Sequence, residues 1–396
     1  MTSPNTVLAA PGRPLRLGIA GGAPPSAIGP AHRIAAAMDR RFEIVAGVLS
    51  SRPERSRAEG VAIGLPADRC YGSVEEMIAA EARRPDGVEA LSIITPNDSH
   101  ARYVRAGLAA GLDLMVEKPL CNDLDEARGL AALARESGRV VALTHTYSGY
   151  PMLREMRSRI LAGDLGEIRL IHVDYLAGGL ATRVEDGPDA DKRWRLRPEI
   201  SGPSLVLGDI GTHAHHLARF VTGLEVESVS AEVGALVPGR IVHDVAQVRL
   251  RMRGGARGRI DVCNAAAGMS NQLLIRVFGE TGHLEWSHRE NGRLTFASLD
   301  GDVRISGSGQ ANLGPLALAS THLQRLGHPE GLHEAIANLY AGFADLILER
   351  QGRPAPPTAR LTPTIGDGVA GLAFVQACLD SSARHGAQTP LPVLET

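Results

Sequence analysis

Cysteine is scarce in this 396-residue chain, and Cys70, Cys121, Cys263 and Cys378 stand far apart with no C-x-x-C pair. That spacing signals neither a zinc site nor a disulfide framework, so a reducing cytoplasm is the expected location. An excess of one charge is also missing: 42 lysines and arginines stand against 44 aspartates and glutamates, a formal net charge of -2. With 22% charged and 44% apolar residues, the balance favours neither a disordered chain nor a polyanion binder, and no nucleic-acid partner is implied. Long hydrophobic runs are absent too. No stretch of about 18 apolar residues occurs, and the first fifteen residues lack the basic start and continuous apolar segment of a secretion signal. Neither a membrane span nor a signal peptide is expected. Internal repeats and low-complexity tracts are lacking as well.

What is present is a chain long enough for about two to three domains and a large core. After a tail at 1–14, residues 15–147 alternate short β-type runs with helical patterns: LRLGIAG (15–21), FEIVAGVLS (42–50), VEALSIIT (88–95), LDLMVEK (112–118) and VVALTHTY (140–147). Between them Val104 and Leu108, or Leu130 and Ala134, recur at helical spacing. This order predicts an α/β doubly wound half, a parallel sheet covered by helices on both faces. Residues 148–396 read differently. A helix near 151–162 and the strand IRLIHVDY lead into a Gly/Pro/Asp-rich connection at 177–203, long enough to carry function. From 226 to 298 several strands follow one another without helices, which indicates an antiparallel sheet. Helical patterns return at 330–350 and about 365–384. The second half is therefore α+β with a large, mostly antiparallel open sheet.

The first strand runs into Gly21-Gly22-Ala23-Pro24-Pro25-Ser26-Ala27-Ile28-Gly29, with a helix from about Ala31. Glycines there would let backbone approach a pyrophosphate resting on the free N–H groups of the helix N-terminus. A regular G-x-G-x-x-G would need glycine at Ala23, however, and this loop is longer and carries two prolines. An ordinary tight turn is the alternative. About twenty residues on, where NAD-specific sites present an acid to the ribose 2′-hydroxyl, the chain has Ser50-Ser51-Arg52. Hydroxyls and a cation could accept a 2′-phosphate, or the loop could simply be solvated. The cofactor is read as NAD or NADP, with a slight lean to NADP or dual use.

Two further motifs are distinctive together: Thr95-Pro96-Asn97-Asp98-Ser99-His100, and about twenty residues later Glu117-Lys118-Pro119-Leu120. With Gly208-Asp209-Ile210-Gly211-Thr212-His213 they resemble the T-P-N-x-x-H, E-K-P and D-x-G-x-H signatures of the glucose-fructose oxidoreductase and inositol dehydrogenase family, often written Gfo/Idh/MocA. Thr144-His145-Thr146-Tyr147, Trp194-Arg195, the segment Val277 to Trp286 and Gly327-His328-Pro329-Glu330-Gly331 extend the likeness over about residues 15–385. The resemblance implies a Rossmann domain, a second domain on an open sheet, and an active site in the cleft between them. It also implies homo-oligomers, dimers or tetramers, that associate through that sheet. By the same resemblance Lys118, Asp209 and His213 would be catalytic, and the cofactor would lie against Gly21, Gly22, Ala23, Ile28, Gly29, Ser50, Ser51, Arg52, Thr95, Pro96, Asn97, His100, Glu117 and Lys118. The departures are Ala23 with its proline loop, the missing acid at Ser50, and His216 where the motif often continues to aspartate.

Those residue types suit alcohol oxidation, in which a base takes the hydroxyl proton while hydride leaves the same carbon. Histidine titrates near neutrality, so His213 is read as the acid or base. Asp209, four residues earlier, would share its helix face and orient substrate. Lys118 at a strand's carboxyl edge would stabilise developing alkoxide, although a lone lysine there is otherwise a solvated charge. Pro119 could follow a cis bond. Asp209, His213 and His216 also share a face as a metal site would require, but no cysteine is near and the chemistry needs no metal, so none is expected. His145 and Tyr147 would line the sugar pocket or serve structure, and Trp194-Arg195 would cover ligand or pack. The expected function is an NAD(P)-dependent oxidoreductase acting on a secondary carbinol of an inositol, sugar or glycoside. The alternatives are a net non-redox reaction through transient oxidation by bound NAD, and a non-catalytic binding protein.

Overall fold

A computed structural model describes residues 13–187, 193–323 and 327–392. Residues 1–12 of the expected N-terminal tail and residues 188–192 of the 177–203 connection fall outside those residues. The chain forms two compact units.

The first unit holds the described residues up to Cys121, then Asp125–Gly149 and Gly331–Gly366. Its strands are β1 (Leu15–Gly21), β2 (Phe42–Val48), β3 (Ala90–Ile94), β4 (Asp113–Val116) and β5 (Val141–Leu143). All are parallel, in the order β2-β1-β3-β4-β5. Every residue of β3 and β4 is buried, as expected of strands covered on both faces. The helices are α1 (Ile28–Met38), α2 (Pro53–Ala62), α3 (Val74–Glu81), α4 (His100–Ala109) and α5 (Leu124–Ser137). Helix α4 shows why the pattern works: Ala101, Val104 and Leu108 form its buried stripe, and Gly107 lets it sit close to Leu114 of β4.

A later helix, here numbered α10 (Leu332–Arg350) in chain order, returns to this unit. Its Ile336, Leu339, Tyr340, Phe343 and Ile347 share one core with Leu15, Leu17, Ile19 and Phe42, and Phe343 stacks on Phe42 with centroids 5.5 Å apart. Buried Arg41 pairs with Asp345, and Arg350 with Asp113 at 2.7 Å. This differs from the sequence reading, which placed everything after residue 147 in the second half. The cause is physical: the apolar surface of α10 completes the cover of the parallel sheet.

The second unit holds Asn122–Leu124, the described residues of Tyr150–Glu330, and the described residues from Asp367 onward. Its helices are α6 (Pro151–Leu161), the short α7 (Pro198–Ser201), α8 (Thr212–Thr222), the short α9 (Pro315–Leu318) and α11 (Ile365–Ala383). Its sheet is built from β6 (Ile168–Leu176), β7 (Val226–Gly234), β8 (Val245–Met252), β9 (Arg257–Cys263), β10 (Gln272–Gly279), β11 (Gly282–Ser287), β12 (Arg293–Ser298), β13 (Val303–Gly307) and β14 (Thr389–Pro390). The order is β13-β12-β11-β10-β6-β9-β8-β7-β14, antiparallel except for β6 beside β9. Alternation decides the faces. Ile171, Val173 and Tyr175 of β6 and Leu273, Ile275 and Val277 of β10 are buried on the side facing α8, while Leu170, His172, Leu274 and Phe278 are half-exposed on the other. Two edge strands, β13 and β14, escaped the sequence reading because they are only five and two residues long.

Candidate active site

In the first unit the turn after β1 has the shape a dinucleotide requires. Gly21 and Gly22 take φ of +89° and +79°, where a side chain is strained. A Cβ on Gly29 would lie 2.1 Å from the Gly22 carbonyl oxygen, so α1 meets the turn at a distance only glycine permits. A tight turn and a close helix approach are also what the dinucleotide fingerprint requires, and here Gly22 and Gly29 meet across a longer loop in which Pro24 and Pro25 are exposed. Side chains the sequence reading did not single out hold the loop. Arg33 donates to the Gly22 carbonyl at 3.0 Å, Arg55 donates to the Pro24 carbonyl, and the Ser26 hydroxyl accepts the Gly29 N–H at 3.2 Å.

The loop after β2 is open. Ser51 and Arg52 are exposed, and the Ser50 hydroxyl accepts the Arg52 N–H at 3.2 Å at the start of α2. No carboxylate occupies Ser50, Ser51 or Arg52.

The turns after β3 and β4 are tied together from beneath. The ring nitrogens of His100 lie 2.8 Å from the Thr95 and Pro119 carbonyl oxygens, and the imidazole has no exposed surface. Burial first of all lowers its pKa. His100 was expected to touch cofactor; with both nitrogens engaged below the surface it braces the loops instead. Asn97 is buried, Thr95 and Lys118 are half-buried and Pro96 is exposed. The Lys118–Pro119 bond is cis.

Glu117 is half-buried, as Lys118 is. It receives the Thr144 hydroxyl at 2.6 Å and contacts His32 Nε2 at 2.9 Å. Burial alone would raise its pKa, but hydrogen bonding and charge from His32, with help from Lys118 and Thr144, hold it down at about 2. An anion is thus fixed beside Lys118, which is one of only two lysines in a chain that otherwise uses arginine. His145 and Tyr147, in and just before the short turn Thr146–Gly149, are both buried.

In the second unit Trp194, Arg195 and Asp209 come together. The Arg195 guanidinium lies 4.4 Å over the Trp194 ring, and its Nε is 3.6 Å from Asp209 Oδ2. The regular helix expected through Asp209 and His213 is instead a π turn over Leu207–Gly211 that becomes α-helical at Thr212. Such wide turns frequently accompany functional sites. His213 is buried on α8, its ring centroid 6.4 Å from that of Tyr175.

The neighbouring histidines have other work. His215 stacks on Phe374 at 4.4 Å and His216 on Phe220 at 5.8 Å. Burial, then the charges of Arg219 and Arg157, push His216 down to about 3, so its approach to Asp367 is not an ion pair near neutrality. Among the described residues no three His, Cys, Asp or Glu side chains form a potential metal site. No helix among them is long and apolar enough to cross a membrane.

Comparison with known proteins now bears on this arrangement. Residues 15–145 match the family model described as an oxidoreductase family with NAD-binding Rossmann fold, and residues 153–285 match the GFO/IDH/MocA C-terminal domain. The uncharacterized oxidoreductase YfiI of Bacillus subtilis (strain 168) is 33% identical over 374 residues, 93% of this chain and 95% of that protein. This chain belongs to the Gfo/Idh/MocA family. It is an NAD-binding oxidoreductase. Among solved structures, an inositol dehydrogenase homologue from Azotobacter vinelandii complexed with NAD+ shares 36% identity at a TM-score of 0.89, with 96% of this chain and 97% of that one covered. An inositol dehydrogenase homologue from that organism complexed with NADH and myo-inositol shares 35% at a TM-score of 0.87, covering 96% and 98%.

Proposed function

We propose that this family member moves hydride between a nicotinamide and a secondary carbinol carbon of an inositol, sugar or glycoside, with Lys118, Asp209 and His213 as its catalytic set. The observation that carries the reading is Lys118: a half-buried cation beside the fixed anion Glu117, at the carboxyl edge of the parallel sheet, where doubly wound folds bind ligands. The strand order β1-β3-β4 puts the glycine turn, the Thr95-Pro96-Asn97 turn and Lys118 at successive strand ends. Support for the substrate class comes from the Azotobacter homologue that holds NADH and myo-inositol.

Bound NAD+ supplies the hydride acceptor; the rest is done by the chain. Lys118 donates a hydrogen bond to the substrate oxygen and stabilises the charge that develops there. His213 takes the hydroxyl proton, and Asp209, oriented by Arg195, positions the substrate. His145, Tyr147, Trp194 and Arg195 are assigned to the substrate pocket. The products are a ketone or lactone, reduced cofactor and one proton. NAD serves as cofactor, and with no acid at 50–52 and Arg52 exposed, NADP is tolerated as well. Homo-oligomers form through the outer face of the nine-stranded sheet, where Leu170, Leu274 and Phe278 are half-exposed.

A screen of inositols, free sugars and glycosides with NAD+ and NADP+, following reduced nicotinamide, tests the proposal. Steady formation of reduced cofactor with at least one polyol supports it. Product without net reduction would indicate transient oxidation instead, and no turnover with any of them would refute it.

A further inference from the structure

We propose that His32, Tyr340 and Ser92 form a buried positioning chain that fixes the Glu117 carboxylate beside Lys118, an inference that rests on the catalytic reading of Lys118. The links are unbroken. Ser92 Oγ lies 2.8 Å from the Tyr340 hydroxyl, that hydroxyl 2.8 Å from His32 Nδ1, and His32 Nε2 2.9 Å from Glu117 Oε1. Ser92, Tyr340 and His32 are each at most 1% exposed. The chain joins β3, α10, α1 and the end of β4, all within the first unit.

Donor and acceptor chemistry fixes its direction at the functional end. A carboxylate only accepts, so Nε2 carries the hydrogen and donates to Glu117. In the neutral imidazole Nδ1 then accepts the Tyr340 hydroxyl hydrogen, and the tyrosine oxygen accepts from Ser92. Protonating Nδ1 reverses the last two bonds and leaves the bond to Glu117 intact. Every polar atom named is satisfied in both states, so Glu117 keeps its donor whichever state His32 adopts. The Tyr340 ring is clamped as well, edge-on to His32 at 5.8 Å and to Phe42 at 5.7 Å.

A core position filled only for stability would be served as well by apolar side chains, since replacing a buried charged pair with well-packed apolar residues is often neutral or stabilising. This network ends on the residue immediately before Lys118. The titratable and charged groups facing Glu117 are His32 on α1, Tyr340 on α10, His100 on α4 and adjacent Lys118, with the Thr144 hydroxyl as second donor. Removing the His32 donor leaves a buried carboxylate short of a hydrogen bond, and burial then favours its protonated form. A protonated Glu117 no longer offers Lys118 its charge.

The test uses the full-length enzyme with NAD+ and the best polyol from the screen, and compares wild type, His32→Leu, His32→Gln, Tyr340→Phe and Lys118→Ala. The readouts are the pH profile of kcat, KM and the NADH dissociation constant. His32→Leu should move the acid limb of kcat upward, so that kcat falls about tenfold further at pH 5 than at pH 8, with NADH affinity changed much less. His32→Gln, which keeps a donor, should return the limb most of the way, and Tyr340→Phe should shift it in the same direction by less. If His32→Leu fails to fold, Tyr340→Phe, which removes a single hydroxyl, carries the test. A lowered melting temperature with an acid limb superimposable on wild type would mean that the chain is only structural. Wild-type turnover in Lys118→Ala would overturn the catalytic reading and this inference together. An inactive Lys118→Ala beside unshifted His32 and Tyr340 variants would overturn this inference alone.

Discussion

Replacing Gly29 by alanine should displace the dinucleotide turn. The added Cβ would lie 2.1 Å from the Gly22 carbonyl oxygen and 2.5 Å from Gly22 Cα, where ordinary contact begins at 3.4 Å. Turn or helix must therefore move by more than an ångström. Gly22 cannot absorb the shift easily, because Arg33 holds its carbonyl at 3.0 Å. Overpacking of this kind costs about 1 to 3 kcal/mol in stability. The functional loss should be larger in proportion if, as proposed, the displaced backbone N–H groups hold the pyrophosphate; NADH affinity should then fall by about tenfold or more. Gly64→Ala is the matched control: its φ is +93°, but nothing lies within 4 Å of the added methyl. It should cost about 1 kcal/mol through backbone strain and leave affinity unchanged. Urea denaturation and fluorescence titration with NADH measure both quantities. Wild-type affinity in Gly29→Ala would refute the assignment of this turn to the cofactor.

Two further outcomes follow from the same structure. Arg52→Ala should weaken NADP binding more than NAD binding, and Ser50→Asp should shift preference to NAD by repelling the 2′-phosphate; equal effects on both cofactors in a titration would show that this loop points away from the ribose. His216, held near 3 when folded, takes up its proton only on unfolding, so its contribution is intact above about pH 6.5 and stability falls as pH drops from there toward 3, by at most about 1.4 kcal/mol per unit. His216→Gln should flatten that slope in urea titrations at several pH values, and an unchanged slope would contradict the assignment.

The parallel sheet was legible because its strands are continuous apolar runs between helices, and the second sheet because Ile171, Val173 and Tyr175 alternate with half-exposed neighbours. Both follow from local periodicity. The destination of α10 was not legible: its pattern shows that it is buried, not against which sheet. His32 and Tyr340 are 308 positions apart, so nothing local to either residue announces the other. The glycine turn looked irregular because Ala23 breaks the expected spacing, yet Gly22 and Gly29 meet across the longer loop. His100 was identified with its motif, but its depth below the surface is a product of packing. The π turn at Asp209 was hidden because Leu207–Gly211 is equally compatible with an α-helix in sequence. Residues that make local turns could be found from spacing; those that act through distant partners could not.

Single-turnover kinetics decide whether Lys118 and His213 act in hydride transfer. Enzyme saturated with NAD+ is mixed with myo-inositol, or the best polyol from the screen, and the absorbance of reduced nicotinamide is followed in wild type, Lys118→Ala and His213→Ala. Rates should be at least about a hundredfold lower in each variant, with NADH affinity within a few-fold of wild type. Hydride transfer at a near wild-type rate in either variant would contradict that role.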